Sequence, residues 1–484
     1  MKKIALFTIL ALLGSGVWAQ DQDHSLLQCA QQLEATDLLK IVEELASPAY
    51  EGRLTGSPGF RKAAEYLAGE FESIGLQPFS PDGYFQEFTI PYTEVFPGCS
   101  LTLNRGGGEK SYRYYDQFMP GSTSATGTLT AEVVFAGFGI TAPELGYDDY
   151  AGIDVRGKIV LIRPEAPLSP SVGEAAFQPW LIYSTHQYKM KNALDHGVAG
   201  ILYHYGPLAN TNNDYHEGLL LTMVGNQVVA DLFEGTDREY GLVVDGITTN
   251  LKPSSFPLNK SVTIHNKTKH HPAGRGMNVI GILPGSDPVL AKEAILIGGH
   301  LDHCGMCWEL CQGANDNASG IAVVLGVARA LATSGHIFDR TLIFMGIGGE
   351  ESGLVGSKQY AANPVWPLDQ TIGYLNLDCV GVGPNFHASG GLSYPELFRP
   401  IKEANDQFFG KELRASIMSH AGRPRTDAAV INRAGVPSLS FSSYGGSGGY
   451  HTPADSLSTI WPETLRSLAA ILTVAVGELA GGNL

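Results

Sequence analysis

The stretch TLIFMGIGGEESGLVGS, Thr341 to Ser357, is an apolar run that stops at two adjacent glutamates and a glycine-broken turn. The apolar part predicts a buried strand, and a helix is expected to start near Leu354. Neighbouring side chains on a strand point to opposite faces, so Glu350 and Glu351 need not share one environment. Two close carboxylates repel, and one pKa rises unless a cation intervenes. Either both face water, or a cation is present and the two glutamates have different tasks.

The same texture continues on both sides. Over residues 275–484 the apolar runs NVIGILPG, AILIGGH, TLIFMGIG, TIGYLNLD and VPSLSFSS read as strands. They are interleaved with helices expected to start near Ala318, Leu354 and Glu396, and PETLRSLAAILTVAVGELAGG closes the chain as a last helix. Strand-helix alternation implies an α/β fold: a mostly parallel, mixed sheet sandwiched by helices. Upstream, DLLKIVEELASPAYEGR is amphipathic, and SPGFRKAAEYLAGEFESIGLQPF is a capped helix that opens at Ser57-Pro58 and stops at Gly75. Between these regions lie the short strands AEVVFAGFGI, GKIVLIRP and AGILYHYG, with one amphipathic helix from about Tyr183 to His196. The expected division is a signal peptide at 1–19, the first part of the main domain at 20–127, a β-rich α+β insert at 128–258, and the remainder of the main domain at 259–484.

The 484 residues suffice for two or three domains and a large core. With 44% hydrophobic and 17% charged residues the chain is globular. A formal net charge of -16 without a basic cluster excludes nucleic acid as a partner, because phosphate binding needs grouped Lys and Arg. MKKIALFTILALLGSGVWAQ has a positive n-region at Lys2 and Lys3, a short apolar core and a small-residue cleavage site ending at Ala19. That pattern is a secretory signal peptide, so the mature chain is expected in the periplasm or outside the cell, with no membrane span. Six cysteines, Cys29, Cys99, Cys304, Cys307, Cys311 and Cys379, allow 15 pairings. For the cluster HCGMCWELC a structural disulfide is the first expectation, free thiols the second and a thiolate metal site the third.

Sites in such sheets gather at the carboxyl ends of strands. There the chain places His300 and Asp302 after AILIGG, Glu350 and Glu351 after TLIFMGIGG, and Asp378 after TIGYLN. Asp316 precedes the helix from Ala318, and His451 stands in the glycine-rich loop SGGYHTPADS. Singly, each would be structural; together, two histidines and several carboxylates point to a metal centre. Imidazole with carboxylate suits zinc, cobalt or manganese. Five ligands with one bridging carboxylate hold two ions about 3.5–4 Å apart. One glutamate of GEE can then bind metal while the other serves as a general base.

In this order HLDH, GANDNASG, GGEE, NLD and YHTPADS resemble the co-catalytic zinc aminopeptidase family, which also contains glutamate carboxypeptidases and glutaminyl cyclases. The resemblance runs over about residues 32–484. It implies two divalent ions, zinc first: one on His300 and Asp378, the other on Glu351 and His451, with Asp316 bridging. It implies Glu350 as general base, Tyr450 as oxyanion stabiliser, Asp302 as the residue that orients His300, and a cis peptide between Asp316 and Asn317. The expected substrates are peptides, with an aminopeptidase as the first reading. A carboxypeptidase, a glutaminyl cyclase and an inactive binding ectodomain are the alternatives. The middle region is similar to a protease-associated domain, which would carry no chemistry and limit access. One departure is RTDAAV, where Ala428 stands in place of the family's histidine; Arg425 and Asp427 remain as substrate-binding candidates, and Arg423 and Arg425 keep a carboxypeptidase open. A second departure is the loop LDHCGMCWELCQGAN, in which His303 is expected at the rim or in a structural role.

Overall fold

The computed structural model describes residues 25–105 and 108–481. The expected signal peptide lies outside the described residues. Eight of the main sheet's eleven strands make up its body: β1 (Phe85–Val95), β2 (Thr268–Leu283), β3 (Ala294–His300), β4 (Thr341–Ile347), β5 (Thr371–Leu377), β6 (Asn385–Ser389), β7 (Leu413–Ser416) and β8 (Ser438–Tyr444). Their spatial order is β1-β2-β4-β3-β5-β8-β6-β7. The four central strands β4, β3, β5 and β8 run parallel, while β1-β2, β2-β4 and β8-β6 pair antiparallel. This is the expected mixed sheet with a parallel centre.

Alternation along the central strands explains why helices cover both faces. Ile295, Ile297, Leu342 and Phe344 enter one core. Ala294, Leu296, Ile343 and Met345 enter the other. A strand apolar at every position buries both sides of the pleat. On the first face lie α1 (Ala35–Leu45), α2 (Pro58–Ser73), α3 (Ser319–Ala332) and α7 (Pro462–Ala480), with α5 (Pro395–Ala404) against α7. On the second lie α4 (Val355–Ala362) and α6 (Asp427–Arg433). The start of α2 follows its sequence signal: the Ser57 side chain accepts a hydrogen bond from Phe60 N, and Pro58 takes the first turn.

β1 and β2 form a ribbon, Val95 opposite Thr268, through which residues 96–267 leave and return. This segment builds its own eight-stranded sheet, from Ser100–Arg105 to Phe256–Asn266, with buried clusters of its own. It is wider than the expected 128–258, because Ser100–Arg105 and Phe118–Pro120 pair with the later strands rather than with the main sheet. The helix expected from Tyr183 spans His186–Asp195.

The cysteines correct the disulfide expectation. All six are free thiols, with Cys304, Cys307 and Cys311 buried between the two sheets. Among the described residues no helix is long and apolar enough to cross a membrane.

Candidate metal centre

Three strand ends meet at one edge of the parallel centre of the sheet. His300 ends β3, Asp378 directly follows β5 and the two glutamates follow β4. His300 Nε2 lies 3.1 Å from Asp316 Oδ1 and 3.4 Å from Asp378 Oδ1. His451 Nε2 lies 3.3 Å from Asp316 Oδ2 and 2.9 Å from Glu351 Oε2. Each oxygen of Asp316 therefore faces a different histidine, and two donor trios share this one carboxylate: His300, Asp316 and Asp378, and Asp316, Glu351 and His451.

Asp316 stands in a kinked turn before α3, and its peptide bond to Asn317 is cis, as the resemblance implies. Asp455 anchors this turn by accepting Asn315 N at 2.8 Å and Asp316 N at 2.9 Å. Asn317 Nδ2 donates to Leu377 O at 2.7 Å, tying the turn to the end of β5. Gly299 is required here, since a Cβ would stand 2.5 Å from Leu377 O and 3.1 Å from Asn317 Nδ2.

The electrostatics of the cluster favour a cation. Asp316 Oδ2 is buried and accepts no hydrogen bond. Burial pushes the His300 imidazole down, but Asp316 and Asp378 raise it well above its ordinary value. Burial likewise pushes the Glu351 carboxyl up, yet His451 and His303 hold it at about 2. Glu350 goes the other way: burial pushes its carboxyl well above the usual range, and Glu351, Asp427 and Asp378 add to the shift against His300. The two adjacent carboxyls are thus pushed in opposite directions, Glu350 up by burial and Glu351 down by its histidines. Carboxylate and imidazole donors around an unsatisfied buried oxygen fit a divalent ion such as zinc.

The supporting residues depart from expectation at several points. Asp302 was expected to orient His300 through its carboxylate. Instead His300 Nδ1 lies 3.1 Å from the Asp302 backbone carbonyl, while Asp302 Oδ1 is 3.8 Å from that nitrogen and accepts Glu350 N at 3.2 Å. The Asp302 side chain thereby positions the base candidate rather than the ligand. Of the two roles expected of His303 the structural one fits: it is fully buried, with Nδ1 2.8 Å from Glu351 Oε1. Gly313 makes room for it, since a Cβ there would stand 2.5 Å from the ring.

Asp427 does not reach a cavity. It begins α6 and is 1% exposed, and burial pushes its carboxyl up to about 6, so it backs the centre from inside. Arg425 is on the rim, its side chain 65% exposed, with Nη2 donating to Glu165 Oε1 at 2.9 Å. Arg423 reaches the same oxygen at 3.3 Å, and its Nη1 is buried without a partner. Tyr450, 59% exposed, stacks on His451 with ring centroids 3.8 Å apart. A cavity of about 480 Å³ opens beside the centre, lined by Asp378, Met418, Arg423, Arg425, Phe441 and Tyr450 among others.

Three supports were invisible in the motifs. Arg53, wholly buried, donates from Nε to Leu301 O (2.9 Å), from Nη1 to Leu45 O (2.6 Å) and Gln312 O (2.8 Å), and from Nη2 to Gly313 O (2.7 Å). One guanidinium thus clamps the loops that carry His300 and Asp316. Ala209 and Thr211 come from the second sheet's side. His451 Nδ1 lies 2.9 Å from Ala209 O, and Thr211 Oγ1 donates to Glu351 O at 2.7 Å. The segment expected to carry no chemistry therefore holds two of the candidate ligands in place.

Comparison with known proteins places this site. Residues 278–476, which contain every candidate ligand and both glutamates, match the model of peptidase family M28. Leupeptin-inactivating enzyme 1 of Streptomyces exfoliatus is 30% identical over 302 residues, 57% of this chain and 63% of that protein. An aminopeptidase of Pseudomonas aeruginosa is 26% identical over 372 residues, 74% of this chain and 59% of its own length. The chain thus spans less than two thirds of either relative. Its fold is similar to that of an aminopeptidase from Aneurinibacillus sp. strain AM-1, with a TM-score of 0.64 at 24% identity, covering 94% of this chain and 95% of the other. The strands and loops that bring His300, Asp316, Glu351, Asp378 and His451 together all lie within the part of the chain that matches peptidase family M28.

Proposed function

We propose that the chain is a dizinc hydrolase of peptide bonds and that it removes residues from free N-termini. The observation that carries this reading is the Asp316 carboxylate, with one oxygen 3.1 Å from His300 Nε2 and the other 3.3 Å from His451 Nε2. A carboxylate shared in this way suits a pair of ions, with His300 and Asp378 on one side and Glu351 and His451 on the other. Bound there, two zinc ions would polarise the scissile carbonyl and acidify the attacking water. Glu350, its carboxyl raised and its backbone N–H held by Asp302, takes the proton from that water and returns it to the leaving amine. Tyr450 lies on the His451 ring at the cavity wall, where its hydroxyl can donate to the developing oxyanion. The aminopeptidase names of the Pseudomonas and Aneurinibacillus relatives support the choice of terminus.

One observation favours a second reading, removal of C-terminal residues. Arg423 Nη1 is buried without a partner, and the residue lines the cavity, a suitable place for a substrate carboxylate. A panel of free, N-blocked and C-blocked peptides, assayed with metal content measured in the same preparation, separates the two. Cleavage that survives N-blocking but not C-blocking would replace the first reading by the second. The secretory pattern of residues 1–19 supports export to the periplasm or the medium.

A further inference from the structure

We propose that Cys304 supplies a thiolate ligand to the ion position bounded by Glu351 and His451, so that the two halves of the centre differ in kind. The proposal rests on the metal-centre reading above. Cys304 Sγ, a His303 ring nitrogen and a Glu351 carboxylate oxygen all lie within 4.8 Å of one another. Glu351 belongs equally to the trio with Asp316 and His451, so the thiol adjoins a carboxylate already facing the proposed ion. Cys304 is 1% exposed and His303 0%.

The loop that carries this thiol is pinned rather than loose. His303 N donates to Arg53 O at 3.2 Å and Gly305 N to Gly52 O at 3.0 Å, on either side of Cys304. His303 uses Nδ1 on Glu351 Oε1, which leaves Oε2 turned to His451. That contact makes His303 a positioning residue and leaves Cys304 as the added donor. The neighbouring thiol is otherwise engaged: Cys307 Sγ donates to Cys304 O at 3.5 Å and lies 3.7 Å from Ser122 Oγ, toward the second sheet.

On binding, the Cys304 S–H bond breaks, its proton leaves to solvent and a sulfur–metal bond forms. No oxidant or reductant is needed. A soft donor at one position selects zinc or cobalt there over manganese or magnesium, whereas the position at His300 and Asp378 keeps only nitrogen and oxygen.

X-ray absorption at the zinc edge tests this on the full, reduced chain loaded with zinc. The expected spectrum contains a sulfur shell at about 2.3 Å. The shell should persist in a Cys307→Ser, Cys311→Ser, Cys379→Ser variant and vanish in Cys304→Ser. In cobalt-loaded protein the thiolate-to-metal charge-transfer band should follow the same pattern. The triple variant keeps the assignment testable even if Cys304→Ser does not fold. Zinc bound in nitrogen and oxygen shells alone overturns the thiolate and spares the metal centre, as does a sulfur shell that survives Cys304→Ser. A chain that binds no zinc overturns both.

Discussion

His451 Nδ1 lies 2.9 Å from the carbonyl oxygen of Ala209, across the boundary between the two sheets. With Nδ1–H donating to that carbonyl, Nε2 is left to face Asp316 and Glu351, the tautomer a metal ligand needs. Two residues on, Thr211 holds the Glu351 backbone. Supports of this kind are worth about 10–100-fold in metal affinity. Thr211→Val should therefore weaken retention of one ion by about that factor, measured by chelator competition, and turnover of a small amide should fall with it. Unchanged affinity would return the inserted segment to a role in access alone.

The adjacent glutamates should separate cleanly on substitution. Glu350→Ala is expected to keep near-normal metal content while kcat falls about 10²–10⁴-fold, the usual range for a lost general base. Glu351→Ala should lose metal, because its Oε2 stands 2.9 Å from His451 Nε2. Metal analysis beside steady-state kinetics decides the matter. Equal metal loss in both variants would end the division of labour.

What could be read from the sequence follows from what is local. A strand apolar at every position, such as Ala294–His300, declares itself, and so does the polar residue at its end. His300, Glu351 and Asp378 sit at or just beyond such ends, and Asp316 and His451 stand in the turn and loop that meet them, so the topology that gathers them was legible. Arg53 was not, because nothing in YEGR signals that its guanidinium will meet carbonyls at positions 301, 312 and 313. Asp302 and His303 were legible as neighbours of a ligand but not by role: adjacent residues beyond a strand end no longer follow the pleat, and here both turn inward. Asp427 was misjudged for the opposite reason. Its proximity to Arg425 suggested the cavity wall, yet as the first residue of α6 it is carried into the interior.

Arg53 offers a stability test of its clamp. Burial lowers its guanidinium to about 10, with Asp455, Asp302, Asp316 and Glu351 opposing that shift, so it remains charged at neutral pH and offsets the carboxylates of the centre. Arg53→Met keeps the apolar stem but orphans four carbonyls and removes the charge. The expected cost is about 3–5 kcal/mol in urea unfolding of metal-free protein. A loss below about 1 kcal/mol, the worth of one ordinary hydrogen bond, would mean that the loops hold their positions without the clamp.

Asp149 gives a pH signature independent of the metal centre. It is fully buried beneath the second sheet, where it accepts hydrogen bonds from Phe138 N (2.9 Å), Ile140 N (3.1 Å) and the Tyr147 hydroxyl (2.8 Å). Burial pushes its carboxyl from 3.8 up to about 7, against those three donors and the Lys189 ammonium. A folded pKa above the unfolded one means that the folded chain binds the extra proton between these two values. The stabilisation is therefore fully present below pH 3.8 and is lost as the pH rises through about 7. Asp149→Asn retains the shape and an acceptor oxygen but cannot titrate. In urea unfolding the stability of the wild type relative to this variant should fall between about pH 4 and 7, by at most about 1.4 kcal/mol per pH unit, and level off above. Taking the difference cancels titrating groups that do not feel Asp149, those of the metal centre among them, but retains Lys189, whose ammonium Asp149 supports. A difference that stays flat over that range would mean that Asp149 is already ionised in the folded chain at pH 4, with its three donors and Lys189 outweighing burial.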